Sequence, residues 1–188
     1  MPSEFILQQR NYWNIKNKAE MSKTVIIYSY HTQKSKKVAE KIIEAFGEKN
    51  IVAVNAEELT TEVFEKNNHF ILSAPTWFDG ELPNYWDEFI PDLEEMDLKN
   101  KTFAVFGLGD QKGYPENFCD AIGILVEILE SCGAKIVGFT PAEGYTFESS
   151  RAQREDKFVG LPLDQENQGR LTQGRVEKWV AQLKKEMN

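Results

Sequence analysis

Phe70-Ile71-Leu72-Ser73-Ala74-Pro75-Thr76-Trp77-Phe78-Asp79-Gly80-Glu81-Leu82 is the stretch on which the fold turns. Its first five residues form a largely apolar run with no alternation, as expected of a strand covered on both faces. Pro75 ends the run. The loop beyond places one large aromatic, Trp77, beside Gly80 and two acids. The same order of parts returns further along. Thr102-Phe103-Ala104-Val105-Phe106-Gly107 reads as another buried strand, and Gly107-Leu108-Gly109-Asp110-Gln111-Lys112-Gly113-Tyr114-Pro115-Glu116-Asn117-Phe118 runs on from it as a loop. Two rings, Trp77 and Tyr114, on neighbouring strand-end loops can enclose a flat, apolar ring system.

Outward from these loops the rhythm is strand, loop, helix. Thr24-Val25-Ile26-Ile27-Tyr28 is a β-branched run, followed by the polar loop Ser29-Tyr30-His31-Thr32-Gln33-Lys34-Ser35. Val38, Ala39, Ile42, Ile43 and Phe46 then recur at helical spacing, and Gly47 suits the helix end. A hydroxyl-rich loop feeding a helix start is a candidate phosphate site, because the free N–H groups and the helix dipole both attract an anion. Ile51-Val52-Ala53-Val54 predicts a second strand and residues 56–66 a short helix. Tyr85, Trp86, Phe89, Ile90 and Leu93 mark one further helix. Phe118, Ala121, Ile122, Leu125, Ile128 and Leu129 mark another. Ile136-Val137-Gly138-Phe139 starts a fifth strand. This alternation implies a parallel sheet with right-handed crossovers and helices on both faces. Residues 140–170 interrupt it and read as an inserted, small antiparallel addition at the sheet edge, with a strand-like patch at 157–161. Thr172 is placed to cap the last helix, whose apolar face is Val176, Trp179, Val180 and Leu183.

A chain of 188 residues, 41% hydrophobic, suffices for one domain with a sizeable core. A net charge of −8 argues against nucleic-acid binding and for a basic protein partner or a neutral ligand. No apolar run approaches the ~20 residues that span a bilayer, so no membrane association is expected. Residues 1–22 lack the pattern of a secretory signal and read as a peripheral extension to a domain at 23–188. Cys119 and Cys132 make no disulfide framework, which points to a reducing compartment, the cytoplasm. They and His69 read as packing or structural residues. No His/Cys/carboxylate cluster has metal-ligand spacing, and no Ser/His/Asp arrangement stands out. Residues 79–98 hold eight acids and no Lys or Arg. Such a run is commonly a solvated helix face, but beside Trp77 it reads as a docking surface that steers a basic partner.

Four spaced motifs carry a family resemblance: Pro75-Thr76-Trp77 with Gly80-Glu81-Leu82; Gly107, Gly109-Asp110, Gly113-Tyr114 and Asn117-Phe118; Glu143-Gly144-Tyr145; and Phe158-Val159-Gly160-Leu161. From about Lys23 onward the chain resembles a long-chain flavodoxin. The resemblance implies an α/β fold, a three-layer doubly wound five-stranded parallel sheet ordered 2-1-3-4-5, with the long-chain insertion in strand 5. It implies FMN at the switch point between strands 1 and 3, and a monomeric, low-potential one-electron carrier rather than an enzyme. Its partners would be basic redox proteins such as a flavodoxin/ferredoxin reductase, docking near Trp77. The isoalloxazine would lie between Trp77 and Tyr114, its edge meeting the backbone of Leu108, Gly109 and Asp110. Pro75, Thr76, Phe78 and Gly80 shape the first loop, and Asn117 and Asp120 fall in the same context as the second. Reduced N5 would donate to a carbonyl in the Phe78–Asp79 turn. Phe78, unlike Gly, resists unusual φ, so weaker stabilisation of the half-reduced cofactor is expected.

The phosphate loop departs from the family pattern Thr/Ser-x-Thr-Gly-x-Thr. Tyr30 stands where a hydroxyl is usual and Gln33 where glycine is usual, which hinders close backbone approach. Ser29, Thr32 and Ser35 keep hydroxyls. Lys34 could bring a positive charge to the phosphate, and His31 a pH-dependent hydrogen bond. Two alternatives follow: an FMN-dependent reductase of quinone reductase type, and a flavodoxin-like module with weakened or lost FMN binding.

Overall fold

The computed structural model describes residues 23–187. The extension expected at 1–22 lies outside the described residues, as does Asn188. The elements β1 (Thr24–Tyr28), α1 (Gln33–Phe46), β2 (Ile51–Asn55), α2 (Thr61–Lys66), β3 (His69–Ser73), α3 (Asn84–Glu94), β4 (Thr102–Leu108), α4 (Asp120–Ser131) and β5 (Lys135–Ile136) alternate as expected. The strands pair in parallel in the order β2-β1-β3-β4-β5.

The absence of a polar face in β1, β3 and β4 has a direct structural outcome. Successive strand side chains point to opposite faces, so an unbroken apolar strand supplies two cores. Val25, Ile27, Phe70, Leu72, Phe103 and Val105 meet α2, α3 and α4 on one face. Ile26, Tyr28, Ile71, Ala104 and Phe106 meet α1 and the last helix, α6 (Thr172–Glu186), on the other. On the first face Phe64, Phe70 and Phe103 stack, with Phe64–Phe70 centroids 5.0 Å apart and Phe70–Phe103 4.8 Å. Trp86 is fully buried there, and its indole N–H donates to the Ser73 carbonyl at 2.8 Å, which satisfies the one polar group it carries inside.

The edge beyond β4 is built from two pieces. β5 pairs with Thr102 and Phe103 only. The chain then leaves, and β9 (Leu161–Leu163) returns parallel beside Phe106, Gly107 and Leu108. The intervening excursion forms a separate antiparallel sheet in the order β6 (Thr140–Pro141), β8 (Lys157–Phe158), β7 (Gln153–Arg154). The fifth strand is therefore shorter than the Ile136–Phe139 run suggested. Gly138 takes φ +80 and turns the chain against Trp179. The patch at 157–161 is divided between the two sheets.

Three local expectations change. Residues 56–66 are not one helix but a 3₁₀ turn (Ala56–Glu58) and then α2, because the Asn55 side chain accepts the Glu57 N–H and closes a local turn. The helix expected from Phe118 begins at Asp120, since Cys119 is left-handed at φ +55. Thr172 does not cap α6. Leu171 holds that position, and the buried Thr172 hydroxyl accepts from the Gln165 amide at 2.6 Å.

Candidate functional site

The carboxyl ends of β1, β3, β4 and β9 converge at one end of the sheet. From β1 the chain goes to β2 on one side, and β3 lies on the other. That divergence opens a crevice where ligands of doubly wound sheets bind. A cavity of about 430 Å³ opens here, within the range of small-molecule sites. It gathers Lys34, Thr76, Trp77, Phe78, Leu108, Gly109, Asp110, Tyr114 and Asn117 from three separate stretches of the sequence, together with Gln165 and Glu166 from a fourth.

The first loop is a tight turn. Trp77 N–H donates to the Glu81 carbonyl at 2.9 Å, and the Trp77 carbonyl accepts from Gly80 at 3.2 Å and Glu81 at 2.8 Å. Phe78 sits at φ +44, a left-handed conformation that costs an L-residue roughly 1–2 kcal/mol, and its ring is exposed. Trp77 is half-buried and meets Tyr85 edge-on at 6.3 Å. Pro75 is buried behind the loop. Thr76 ties it to its neighbours, its N–H donating to the Leu108 carbonyl and its hydroxyl accepting from Ala121 N–H. Gly80 does not line the cavity. A Cβ there would lie 2.7 Å from the Asn117 amide nitrogen.

The second loop is braced from outside. Glu148 and Ser149 N–H groups both donate to the Pro115 carbonyl, and Phe118 N–H donates to Ser149. The Ser149 and Ser150 hydroxyls donate to the Glu116 and Phe118 carbonyls. The Phe118 ring packs among Tyr145, Phe147 and Phe158 at centroid distances of 5.3–6.1 Å. Gly109 is a place where backbone alone fits, because a Cβ would lie 2.8 Å from the Cys119 sulfur. The Asp110 carboxylate accepts from Lys112 and Gly113 N–H groups and from the Asn167 amide. The Gly113 N–H foremost, then Asn167 and Lys112, hold its carboxyl below the usual carboxylate range, against the opposing effect of partial burial. Tyr114 stands half out of the loop as a cavity wall, 51% exposed.

Asp120 is buried and also does not line the cavity. One of its oxygens accepts from Arg151 N–H at 2.8 Å, and the other lies 3.4 Å from the Asn117 amide, so it fastens the excursion to the second loop. Burial pushes the neighbouring Cys119 thiol well up. Cys119 and Cys132 are both free. No group of metal-ligating side chains occurs among the described residues.

The phosphate-end residues adjoin the cavity through Lys34. Gln33 is the first residue of α1 and needs no positive φ, so glycine is not required there by conformation. Thr32 occupies the N-cap position but makes no side-chain cap. Among the described residues the N–H groups of Gln33, Lys34 and Ser35 have no acceptor. The Ser35 hydroxyl is buried and without a partner. The first N–H groups of a helix have no intrahelical partner, and together with the buried Ser35 hydroxyl they are able to receive an anion. Ser29 is committed elsewhere, its hydroxyl accepting from His31 and Thr32 N–H and donating to Glu57. Tyr30 N–H goes to the Asn55 side chain, and its ring leans on Tyr28 at 5.0 Å. His31 is largely exposed, with Nε2 3.7 Å from Glu57. Lys34 pairs with Glu166 across the mouth of the cavity.

Gln165, Glu166 and their supports were not among the residues singled out in the sequence. Asp164 is fully buried and accepts from the Gln111 backbone and amide at 3.2 and 2.7 Å, and from Glu166 and Asn167 N–H groups. It caps the short helix α5 (Gln165–Gln168). The Asp-x-Glu start of that helix is readable. Its position against the second loop depends on where β9 returns.

With this geometry in view, comparison with known proteins is decisive. The flavodoxin family model matches residues 26–179. A flavodoxin of Nostoc sp. is 44% identical over 169 residues, covering 88% of this chain and 98% of the relative. Flavodoxin 1 of Escherichia coli is 40% identical, covering 89% and 96%. A solved Fusobacterium nucleatum flavodoxin, bound to flavin mononucleotide, superposes with a TM-score of 0.83 at 32% identity, covering 88% of this chain and 99% of that one. The chain belongs to the flavodoxin family.

Proposed function

We propose that this flavodoxin is an FMN-binding one-electron carrier, with the isoalloxazine between Trp77 and Tyr114 and the phosphate at the N-terminus of α1. The observation that carries the reading is the pairing of one cavity walled by two aromatics with an unfilled set of donors at Gln33, Lys34 and Ser35. The FMN held by the Fusobacterium relative supports it. When bound, FMN supplies the redox chemistry.

The chain's own residues bind, orient and bias. The free N–H groups and the Ser35 hydroxyl receive the phosphate, aided by the α1 dipole. Lys34 adds a positive charge when it turns from Glu166. The Leu108–Asp110 backbone, kept bare by Gly109, meets the edge of the ring, and the Phe78 carbonyl serves N5. Asp110, ionised at neutral pH, opposes added negative charge on the ring and lowers the potential.

The acids of residues 79–98 are all exposed. They form the docking surface for a basic redox partner such as a reductase. The carrier works as a monomer in a reducing compartment, and no described helix is long and apolar enough to cross a membrane.

Flavin content and an FMN titration of the apoprotein test the reading. One FMN per chain is expected, with FMN bound more tightly than riboflavin and no NAD(P)H oxidation until a reductase is added. A colourless protein that leaves FMN fluorescence unquenched sinks it.

A further inference from the structure

The turn between Trp77 and Glu81 is pinned unevenly. The Trp77 carbonyl takes two N–H groups, from Gly80 and Glu81, and Trp77 N–H is bonded to Glu81. The Asp79 carbonyl accepts from the Asn117 side-chain amide at 2.9 Å. Among the described residues neither the Phe78 carbonyl nor the Asp79 N–H has a partner. The Phe78–Asp79 peptide is thus the unit of the turn left free at both its polar groups, and it lies between two fastened ones. Phe78 stands at φ +44 and Gly80 at φ +98. The pinning also explains Gly80, since a Cβ would collide with the Asn117 amide and with Asp120. Asn117 is itself oriented by Asp120, which the excursion holds through Arg151 N–H.

We propose that Asn117 is a positioning residue for the redox state of the flavin: it fixes the far side of the Phe78–Asp79 peptide and so sets how that peptide presents its carbonyl. Phe78 favours a negative φ, and the turn keeps it positive by holding the flanking Asp79 carbonyl. Without the amide, Phe78 relaxes and the peptide loses its set orientation. The redox state that depends on one orientation then bears the ordering cost. Asn117 also lines the cavity, so its action through Asp79 is read in the one-electron potentials, beyond any change in the affinity of oxidised FMN.

The proposal rests on the FMN site described above, and the two can fail separately. Potentiometric titration of FMN-loaded Asn117→Ala and Asn117→Asp is the test. Both variants are expected to lower the maximum half-reduced fraction, with its formation constant down about fivefold, as for loss of one hydrogen bond. Any loss in the affinity of oxidised FMN should be clearly smaller than the fall in that formation constant. Asn117→Asp adds a second reading. Once protonated at acid pH, its carboxyl regains a donor for the Asp79 carbonyl, and Asp120, 3.4 Å from the amide, together with Asp79 keeps it protonated to higher pH. Its potentials should therefore move from those of Asn117→Ala towards the wild type as pH falls. Gly80→Ala, which displaces the amide, should mimic Asn117→Ala if the latter folds poorly. Wild-type potentials in variants that still bind FMN overturn the role of Asn117 alone. Losses of affinity and half-reduced fraction in step, with no acid recovery in Asn117→Asp, overturn it too by making Asn117 an ordinary binding contact. An apoprotein that binds no FMN overturns the site itself.

Discussion

The two ends of the site are built on different principles. At the ring end, the Tyr114 loop is held by backbone and hydroxyl bonds from residues 146–151 and by the aromatic packing of Phe118. The Trp77 loop is held by its own turn and by Asn117. At the end proposed for the phosphate, the loop from Ser29 to Ser35 carries exposed Lys34 and His31 side chains over a helix start whose donors meet no acceptor among the described residues. Shape is prepared at one end and hydrogen-bonding capacity at the other. A flat ring is recognised by walls already in place, whose cost was met in folding. A phosphate is recognised by groups whose own satisfaction waits for it.

The largest effect that sharpens this contrast is expected from Trp77→Ala. Loss of a stacking wall should weaken FMN by about 2 kcal/mol, near thirtyfold. Tyr114→Ala should follow closely, and riboflavin should weaken in parallel, because the ring is common to both. Fluorescence quenching of each flavin by the apoprotein measures this. A loss confined to FMN breaks the comparison. Next, Ser35→Ala should cost about tenfold in FMN affinity, the scale of a hydrogen bond to a charged group, and leave riboflavin unchanged. The same variant should raise apoprotein stability slightly, because an unpartnered buried hydroxyl is removed. An equal loss for both flavins would show that the phosphate lies elsewhere.

Smaller effects come from the surface. Glu88→Lys and Asp92→Lys together should slow association with a basic reductase several-fold at low salt, and the difference should vanish at high ionic strength. Stopped-flow rates that ignore salt would remove the acidic face from the reading. The smallest effect is that of Asp110. Its folded carboxyl titrates lower than its unfolded one, so its contribution is present above the unfolded pKa and is lost as pH falls through the folded value. Asp110→Ala should therefore lower Tm modestly at pH 7, with solvent screening limiting the loss, and the gap should close in acid. A gap that persists below the carboxylate range would assign the loss to loop packing.

Much of this was legible in the residues. The unalternating runs at Thr24, Phe70 and Thr102 called for strands buried on both faces, and the helices between them called for a parallel sheet. Trp77 and Tyr114 were legible because large aromatics among glycines and acids are out of place in ordinary loops. Gln165 and Glu166 were not legible. They reach the cavity only because β9 returns beside β4 after the excursion. Asn117 was legible as a neighbour of the site, and its bond to the Asp79 carbonyl was not. Gln33 looked like an obstruction in the sequence, and its place as first residue of α1 removes the conformational objection.

By itself the sequence determined the layers, the order in which strands and helices alternate, and which two loops bring large aromatics to the cavity. Periodicity and turn chemistry are local, and the hydrophobic effect acts on them wherever the chain goes. Only the tertiary structure decided where the split edge strand resumes, that the excursion braces the Tyr114 loop, and that the Ser35 hydroxyl has no partner among the described residues. Those outcomes depend on contacts between residues far apart in the chain. Such contacts are set by packing geometry, and no local pattern of residue types encodes them.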